Sequence, residues 1–331
     1  MKKIKWGVIG LGKIARTFAQ DLQRVENAVI YAVASRSEEN AKAFAGEFDA
    51  VKSHGSYEAL AADPETDIVY IATPHVFHFE NTMMCLKHGK HVLCEKPLGM
   101  NAEEVKTMIA EARKRKLFLM EGIWTRFIPA TQLLLDLIQK GTIGDIISVN
   151  ADFGFRGNQD PKARLFNKKL GGGSLLDIGI YPVYLSLLLL GAPSDIKAMA
   201  RMSETGVDSF CGMLLDFSGG EKAILESTFE THTPTEARIF GTKGMLKLHA
   251  SFHHSRRVSL YRDGEHKETL EVNYRGNGYV HEIEEVHDCL AAGRTQSPEH
   301  SLQTSLHLIS ALDRVRGEIG MEYTDTLEKK L

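Results

Sequence analysis

Near its amino terminus the chain reads IKWGVIGLGKIA over residues 4–15. An apolar run leads directly into the pattern Gly-x-Gly-x-x-Ala, and a helical pattern follows it. Gly10 permits a tight turn, Gly12 lets the backbone approach a pyrophosphate, and Ala15 is small enough for close helix packing. The amino terminus of the helix stabilises the negative charge of the phosphates. The stretch therefore predicts a strand, a phosphate-binding turn and a helix in succession.

The alternation of apolar runs and helical patterns continues as far as residue 122. The strands that it predicts are Ile4–Ile9, Val29–Ala34, Asp67–Ala72, His91–Cys94 and Leu117–Met120, and the helices are Ala15–Val25, Phe79–His88 and Ala102–Lys116. Such alternation is typical of repeated βαβ units, in which the strands form a parallel sheet. We therefore predict an α/β dinucleotide-binding Rossmann domain over residues 1–122.

The pattern changes after this domain to one that is rich in alternating strands. It predicts helices at Ala130–Gln139, Val280–Ala292 and Leu302–Glu318, and strands at Ile146–Phe155, Ile196–Met202, Ser209–Phe217, Ala223–Phe229, Ala237–Phe240, Met245–Leu248 and Val258–Tyr261. Gly219-Gly220 and Asp263-Gly264 are hairpin turn signals, so the strands beside them should pair antiparallel. We predict a second domain over residues 123–331, of α+β class with a largely antiparallel sheet.

The bulk composition narrows the class of protein. The 331 residues include 40 Lys and Arg against 43 Asp and Glu, and the net charge of −3 offers no positive field to a nucleic acid. The four cysteines lack CxxC spacing, so neither a disulfide framework nor a metal site is predicted. The apolar run Leu185–Leu190 is too short to span a bilayer, and the amino-terminal segment lacks an apolar core long enough for export. We expect a soluble cytoplasmic protein with neither a membrane nor a nucleic-acid partner.

The end of the second predicted strand bears on the choice of cofactor. NAD-binding chains usually carry an acid there for the ribose hydroxyls, but this chain reads Ser35-Arg36-Ser37. An arginine flanked by hydroxyls suits a 2′-phosphate, through charge-assisted hydrogen bonds and stacking on adenine. The sequence therefore favours NADP over NAD, and a solvated loop arginine is the alternative.

Two segments carry the residues that we expect to do chemistry. Glu95-Lys96-Pro97 directly follows the strand His91–Cys94, at the edge where open α/β sheets bind ligands. Lys96 there can hydrogen-bond a substrate oxygen, and Pro97 fixes the turn that aims it. Taken alone, a lysine at a strand end is more often a solvated charge. The second segment reads GGGSLLDIGIY over residues 171–181 and ends in Tyr181.

Four motifs in this order together resemble those of the Gfo/Idh/MocA oxidoreductases. They are VIGLG at residues 8–12, ATP at residues 72–74 with His78, EKP at residues 95–97 and DIGIY at residues 177–181. The segment MEGIWTRF at residues 120–127 is similar to that of the dimeric dihydrodiol dehydrogenases and their relatives acting on sugars, such as NADP-dependent xylose dehydrogenases. The resemblance covers essentially the whole chain.

The resemblance implies a Rossmann domain, a cis peptide at Lys96-Pro97 and a second domain whose open-faced sheet often mediates assembly, here as a homodimer or tetramer. The residues that it and the phosphate-binding turn assign to the cofactor are Gly10, Gly12, Lys13, Ile14, Ser35, Arg36, Thr73, Pro74, His78, Glu95, Lys96, Trp124 and Arg126. The expected catalytic residues are Lys96, Tyr181 and Asp177, and the expected substrate pocket includes Trp124, Phe153, Arg164 and Tyr181. Core or interdomain packing is the alternative for the aromatic residues and Arg126.

Many members of the family carry a histidine where this chain has Tyr181, so the resemblance implies a phenol as the proton-transfer group. An unperturbed tyrosine has a pKa of about 10, and a nearby Lys96 cation would lower the pKa of that phenol. Either residue can then carry the proton. Asp177 either orients Tyr181 or binds substrate, and a helix-capping role with Ser174 is the alternative.

The expected activity is hydride transfer between nicotinamide and a carbinol or carbonyl carbon of a diol, aldose or polyol. A non-catalytic dinucleotide-sensing protein of the same fold is the main alternative, and a reductase of a bulky aromatic such as a tetrapyrrole is a third. Retention of both Lys96 and Tyr181 favours the enzyme. His253-His254 is interpreted as an isolated pair in a loop, without ligand partners.

Overall fold

The amino-terminal stretch forms the predicted strand, turn and helix in the computed structural model, which describes residues 3–158 and 160–323. Strand β1 spans Ile4–Ile9 and helix α1 spans Lys13–Leu22. β1 pairs in parallel with a strand on each side, and Trp6, Val8 and Ile9 have no exposed surface. Strands of parallel sheets are buried in this way because the crossover helices cover both faces of the sheet.

The first sheet has six strands in the order β3-β2-β1-β4-β5-β6, and every pair is parallel. Its further elements are β2 at Ala28–Ala34, α2 at Glu38–Phe48, β3 at Lys52–His54, α3 at Tyr57–Ala62, β4 at Ile68–Ile71, α4 at His78–Lys87, β5 at His91–Glu95, α5 at Ala102–Arg115 and β6 at Leu119–Gly122. The strand order reverses between β1 and β4, which is where doubly wound sheets bind their ligands at the carboxyl edge. The predicted Rossmann domain is confirmed.

A stack of aromatic rings fills the core under this sheet. The rings of Phe18 and Tyr70 are stacked with centroids 3.6 Å apart, and Trp6 packs on Phe18 at 5.6 Å. The indole N–H of Trp6 donates to Nε2 of His287 at 3.0 Å. Because each ring is large, this cluster contributes much of the hydrophobic stabilisation of the sheet.

The second sheet has eight strands in the order β14-β13-β12-β11-β7-β10-β9-β8. The elements of this part of the chain are α6 at Pro129–Gln139, β7 at Ile146–Gly154, α7 at Ile180–Leu190, β8 at Asp195–Met202, β9 at Asp208–Asp216, β10 at Lys222–Thr228, β11 at Ala237–Gly241, β12 at Gly244–Leu248, β13 at Arg257–Arg262 and β14 at Glu265–Glu271. β7 pairs with β10 in parallel, and the other pairs of this sheet are antiparallel. The prediction of a largely antiparallel sheet is confirmed.

Helix α7 runs through the core of the second part. Eight consecutive residues, Ile180 to Leu187, are buried. The stretch Lys168–Leu190 is long and apolar enough to cross a membrane by length and composition, but 83% of its apolar window is buried inside the protein. A buried core helix of a soluble protein has these properties, and we interpret α7 as such a helix.

The chain divides into two compact units, Met1–Trp124 with Tyr274–Leu306 and Thr125–Asn273 with His307–Leu331. This division differs from the single boundary that we predicted between residues 122 and 123, because the chain returns to the first unit. Helix α8 at Val280–Ala291 belongs to that unit, and helix α9 spans Leu302–Glu318.

The returning segment is held by the buried carboxylate of Asp21 on α1. Asp21 has no exposed surface and accepts from the backbone N–H of Asn277 at 2.8 Å and of Tyr279 at 2.9 Å. Gly276 approaches so closely that a Cβ there would lie 2.1 Å from Oδ1 of Asp21. The return is therefore fixed by charge-assisted hydrogen bonds to a group that no water can reach.

Candidate active site

The turn between β1 and α1 leaves room for a phosphate. Gly10 has a φ of +82°, and a Cβ there would lie 2.5 Å from the backbone nitrogen of Thr73. A Cβ on Gly12 would meet no atom within 4 Å, so the space beside this residue is open. Lys13 and Ile14 begin α1, whose first turn has neither an acidic residue nor a side-chain cap. Their N–H groups have no intrahelical partner, and the site fits the pyrophosphate of a dinucleotide.

Arg36 lies just beyond the carboxyl end of β2, on the same edge of the sheet. Its side chain is exposed. Oγ of Ser35 accepts from the backbone N–H of Ser37 at 3.2 Å, and Oγ of Ser37 caps α2 by accepting from Asn40 at 3.3 Å. Burial raises the pKa of Tyr57, and the positive charge of Arg36 opposes that rise. The chain thus presents a cation and hydroxyl groups where a ribose 2′ group is expected, and an exposed arginine also fits the loop alternative.

A buried histidine joins the two loops that follow β4 and β5. His78 has no exposed surface; its Nε2 lies 2.8 Å from the carbonyl oxygen of Thr73 and its Nδ1 lies 2.7 Å from that of Pro97. Burial lowers the pKa of His78, and the two carbonyl oxygens oppose this effect. A neutral ring has one N–H, so it donates to one of these oxygens at a time. This histidine holds the Thr73-Pro74 loop beside the turn that carries Lys96.

Lys96 is half-buried at the end of β5, and its bond to Pro97 is cis, as the resemblance implied. The neighbouring Glu95 is buried, and its Oε1 accepts from the hydroxyl of Tyr70 at 2.6 Å. Its Oε2 accepts from the backbone N–H of Lys96 at 3.3 Å. Burial raises the pKa of Glu95, while Tyr70 and the Lys96 charge lower it. The side chain of Glu95 therefore holds the backbone of Lys96 from inside the protein.

Two further buried carboxyl groups were not predicted. Glu121 accepts from the backbone N–H of Leu98 at 2.9 Å and lies 3.3 Å from Nε2 of His300. Glu282 has no exposed surface, and its oxygens have no hydrogen-bond partner among the described residues. Burial, and then the charges of Glu95 and Glu121, raise the pKa of Glu282 well above its usual value. We expect Glu282 to be protonated and neutral, since an ionised carboxylate would be very costly there.

Two other residues predicted at the cofactor or substrate site fall in different units. Trp124 is half-buried and stacks on Tyr279, with ring centroids 4.6 Å apart and planes 14° from parallel. Arg126 is 8% exposed and belongs to the second unit. Packing on Tyr279 gives Trp124 a fixed orientation within the first unit.

Tyr181 lies in the first turn of α7, and a five-residue π-helix at Leu175–Gly179 precedes it. Such π-turns often occur at functional sites. Asp177 in this turn accepts two parallel hydrogen bonds from Arg164, Nη1 to Oδ1 and Nη2 to Oδ2, both 3.1 Å long. The alternative of a capping role with Ser174 is wrong, because Ser174 has helical dihedral angles and makes no side-chain cap.

An aromatic cluster packs around Tyr181 within the second unit. The ring of His253 lies 4.8 Å from that of Tyr181 and stacks on Phe153 at 4.5 Å and 22°. The carbonyl of His253 accepts from the hydroxyl of Thr125 at 2.8 Å, which fixes the loop. The sequence analysis interpreted His253-His254 as an isolated pair in a loop and did not predict that the His253 ring packs against Tyr181. A histidine in a short loop gives no sequence signal of such a contact.

A cavity of about 820 Å³ lies at the other edge of the first sheet. It is lined by residues at the amino ends of β1 and β5, including Ile4 and His91, and by His287 of α8. The phosphate-binding turn, Thr73 and Lys96 follow the carboxyl ends of their strands. We therefore do not place the chemistry in this cavity.

The structure groups the predicted residues within each unit. Gly10, Thr73, His78 and Lys96 share the carboxyl edge of the first sheet, while the Asp177–Arg164 pair, Phe153 and Tyr181 belong to the second unit. Among the described residues, no cluster of three or more His, Cys, Asp or Glu side chains is arranged to hold a metal ion.

Family profiles match both parts of the chain. One, described as the GFO/IDH/MocA oxidoreductase family with an NAD-binding Rossmann fold, matches residues 4–123, and another, the C-terminal domain of GFO/IDH/MocA proteins, matches residues 131–247.

Curated proteins and solved structures match nearly end to end. The chain is 39% identical to trans-1,2-dihydrobenzene-1,2-diol dehydrogenase of Homo sapiens and 38% identical to that of Mus musculus, each over 97% of this chain and 98% of the other. A 3-ketoreductase from Actinomadura kijaniata, solved with NADP and TDP-benzene, superposes with a TM-score of 0.87 at 29% identity, over 96% of this chain and 98% of the other. An aldose-aldose oxidoreductase from Caulobacter crescentus with glycerol gives a TM-score of 0.87 at 25% identity, over 96% and 97%.

The His78 contacts generate a prediction about stability. We expect His78→Ala to lower the free energy of unfolding by about 3 kcal/mol, because it removes a buried side chain and the one N–H that donates to the carbonyl oxygen of Thr73 or of Pro97. The exposed His88 is a matched control, and His88→Ala should change the free energy by less than about 0.5 kcal/mol. Chemical denaturation at pH 7.5 measures both.

The contribution of His78 should also depend on pH. Because burial lowers its pKa, the folded protein favours the neutral ring, so the stabilisation is complete above the unfolded pKa of about 6.5 and declines as pH falls from there towards the folded pKa. The difference between wild type and His78→Ala should therefore shrink below pH 6.5. A difference that grows on acidification would show that the ring is bound as a cation.

Proposed function

Because the chain belongs to the Gfo/Idh/MocA family of oxidoreductases, we propose that it transfers hydride between NADP and a carbinol or carbonyl carbon of a diol, aldose or related polyol. The observation that carries this proposal is the near full-length match to dihydrodiol dehydrogenases. A ketoreductase and an aldose oxidoreductase of the same architecture support a substrate that presents hydroxyl and carbonyl groups. These relatives favour an enzyme over a dinucleotide sensor or a tetrapyrrole reductase.

Lys96 and Tyr181 are the groups that we propose to act on the reacting oxygen. The nicotinamide supplies or accepts the hydride. When an alcohol is oxidised, its hydroxyl proton must leave as the hydride leaves the carbon, and Tyr181 takes that proton in our proposal. Lys96 donates a hydrogen bond to the same oxygen and stabilises the phenolate by its charge. In the reduction of a carbonyl, the same groups act in the reverse order.

Buried contacts restrain both Lys96 and Tyr181. The buried Glu95 accepts from the backbone of Lys96, and the His78 contacts fix the following turn. Tyr181 is 8% exposed and packs against His253. Such restraint limits the geometries that each group can adopt, which is how enzymes lower the entropic cost of reaching the transition state.

The Asp177–Arg164 pair and the aromatic residues Phe153 and Trp124 are our candidates for the substrate contacts. Asp177 is buried, whereas the side chain of Arg164 is 44% exposed. Its two hydrogen bonds to Asp177 orient the guanidinium, and the exposed part of that group can bind hydroxyl oxygens. A hydroxyl-rich substrate fits this combination of donors and apolar rings.

NADP is the proposed cofactor because Arg36 offers a cation where a ribose 2′-phosphate would lie. The turn at Gly10 and Gly12 and the Thr73-Pro74 loop are assigned to the rest of the dinucleotide, with Glu95, Trp124 and Arg126 as further contacts. We also propose that the enzyme works in the cytoplasm, since its four cysteines are all free.

The solvent-facing side of the second sheet is our candidate for assembly of a homodimer or tetramer. Three adjacent strands each place a large, exposed apolar side chain on this face: Met199 on β8 is 83% exposed, Leu214 on β9 is 47% exposed and Ile224 on β10 is 57% exposed. Contiguous exposed apolar surface of this kind marks an interaction site. A second copy of the chain would cover it.

The roles of Lys96 and Tyr181 can be separated by pH–rate profiles. We expect Tyr181→Phe to lower kcat by about 100-fold or more, because removal of a general acid–base typically costs that much, while the affinity for NADP is retained. Lys96→Met should lower kcat as well and shift the pH dependence that remains. A reduced-nicotinamide absorbance assay with diols and aldoses, run in both directions, measures these effects. Near-normal turnover of Tyr181→Phe would remove Tyr181 from the mechanism.

Arg36 determines the choice of cofactor in our proposal. Arg36→Ala should lower the efficiency with NADP relative to NAD by about 10- to 100-fold, since about 1.5 to 3 kcal/mol of charge-assisted hydrogen bonding is lost. The exposed Arg113 is a matched control, and Arg113→Ala should leave the ratio of kcat/KM values unchanged. An unchanged ratio in Arg36→Ala would support the solvated loop alternative.

The assembly surface can be tested by adding charge to it. Ile224→Lys places an ammonium group in the middle of the exposed apolar face, so we expect it to dissociate the oligomer, because burying an unpaired charge is costly. Val51→Lys, at a position 62% exposed in the first unit, is the control and should leave the assembly intact. Sedimentation velocity measures the mass. A monomeric wild type would contradict the proposal.

A further inference from the structure

The C-terminal segment reaches the glycine turn that precedes the Tyr181 segment. Tyr323 is 8% exposed, and its hydroxyl donates to the carbonyl oxygen of Gly172 at 2.5 Å. A Cβ on the adjacent Gly173 would lie 3.3 Å from Cε of Met321. The ring of Tyr323 is covered in turn by Arg316, whose guanidinium carbon is 5.3 Å from the ring centroid. Residues some 150 positions apart in sequence are thus joined by a buried hydrogen bond.

A buried carboxylate on β9 holds the next residues of the same turn. Asp208 has no exposed surface, and its Oδ2 accepts from the hydroxyl of Ser174 at 2.6 Å and from the backbone N–H of Leu175 at 2.7 Å. Its Oδ1 has no hydrogen-bond partner among the described residues. Gly173 has a φ of +116°, and a Cβ there would lie 2.4 Å from this Oδ1. Glycine is therefore required both by the backbone conformation and by the space.

Both side chains act on the segment that ends in Tyr181. The turn at residues 171–173 leads directly into the π-helix Leu175–Gly179 that carries Asp177, and Tyr181 follows. On the other side, Oγ of Ser227 lies 2.9 Å from Oγ of Ser174, and a Cβ on Gly179 would lie 2.8 Å from it. The start of the segment therefore has little freedom to shift while these contacts persist.

We propose that Tyr323 and Asp208 are positioning residues, which hold the 171–181 segment in the conformation that the catalytic step requires. The catalytic part of this inference rests on the proposed role of Tyr181. The mechanical part, that the two side chains restrain residues 171–181, stands by itself. Under this proposal Tyr323 and Asp208 affect the activity although neither is a reacting group.

Asp208 should also make the restraint depend on pH. Burial raises the pKa of Asp208 to about 6, against the opposing effect of its hydrogen bonds from Ser174 and Leu175. The titratable groups near it are Tyr323 and Cys211, whose pKa values are both raised, mainly by burial and further by the Asp208 charge. Above pH 6 Asp208 is ionised and accepts both hydrogen bonds at full strength. Below pH 6, protonation of Asp208 weakens these hydrogen bonds.

The tyrosine contact is tested with Tyr323→Phe, which removes the donor to Gly172 and keeps the ring. We expect kcat to fall about 10- to 100-fold with an unchanged KM for NADP, since small displacements of a reacting group cost that much. Amide hydrogen exchange over residues 171–181 should become faster. Tyr261→Phe, on β13 of the same unit, is the matched control and should change neither quantity.

The carboxylate is tested with Asp208→Asn, which preserves shape and an acceptor oxygen but has no charge to titrate. Wild type should lose kcat as pH falls through about 6, and Asp208→Asn should lack this acid limb. Asp216 is the last residue of the same strand and its side chain is 47% exposed, so Asp216→Asn is the control and should retain the acid limb.

The outcomes distinguish this inference from the proposed function. Unchanged hydrogen exchange over residues 171–181 in both Tyr323→Phe and Asp208→Asn would overturn the restraint, whatever the kinetics. Faster exchange with unchanged kcat would overturn the positioning role and leave only a structural one. If Tyr181→Phe proves fully active, the proposed catalytic role fails, and the exchange experiment still decides whether the restraint exists.

Discussion

The carboxyl edge of the first sheet depends most on the contacts of one imidazole that lies between two loops. His78 is fully buried and lies within 2.8 Å of the carbonyl oxygens of Thr73 and Pro97. The backbone of the first loop packs on Gly10, while the second loop carries Lys96. A shift of this ring would therefore move both the Thr73-Pro74 loop, which packs on Gly10, and Lys96, whose amine we propose to be catalytic. The parallel sheet forms the edge, and the side chain of His78 links the two loops that follow β4 and β5.

Periodicity was sufficient to predict the fold class, because buried parallel strands are apolar on both faces and leave an unambiguous signal. The confirmed strands of the first sheet illustrate this. β3 has only three residues and α3 only six, so each gave too weak a pattern, and α2, with 11 residues, was missed as well. The return of residues 274–306 was missed because hydrogen bonds to a distant Asp21 leave no periodic trace.

The candidate site was predicted in part, because only local features leave a pattern in the sequence. Candidate residues that belong to a local turn, such as Gly10, Gly12 and Lys96, could be predicted from short motifs. Residues whose position depends on long-range packing could not. Glu282 looks like one charge among several on an amphipathic helix, yet it is fully buried. His253 lies more than seventy positions from Tyr181, and only the course of the sheet brings the rings together.

The first unit is interrupted in sequence by part of the second. The strands of the second unit lie between Trp124 and Tyr274, so the ribosome synthesises them before the closing piece of the first unit exists. Until that piece emerges, Asp21 has neither the Asn277 nor the Tyr279 amide to bind, and Trp6 lacks its acceptor on His287. Synthesis from one end thus leaves the first unit without α8 until some 150 further residues have been made, although all six strands of its sheet are already present. The order in which the chain is made is not the order in which its nucleotide-binding half can be finished.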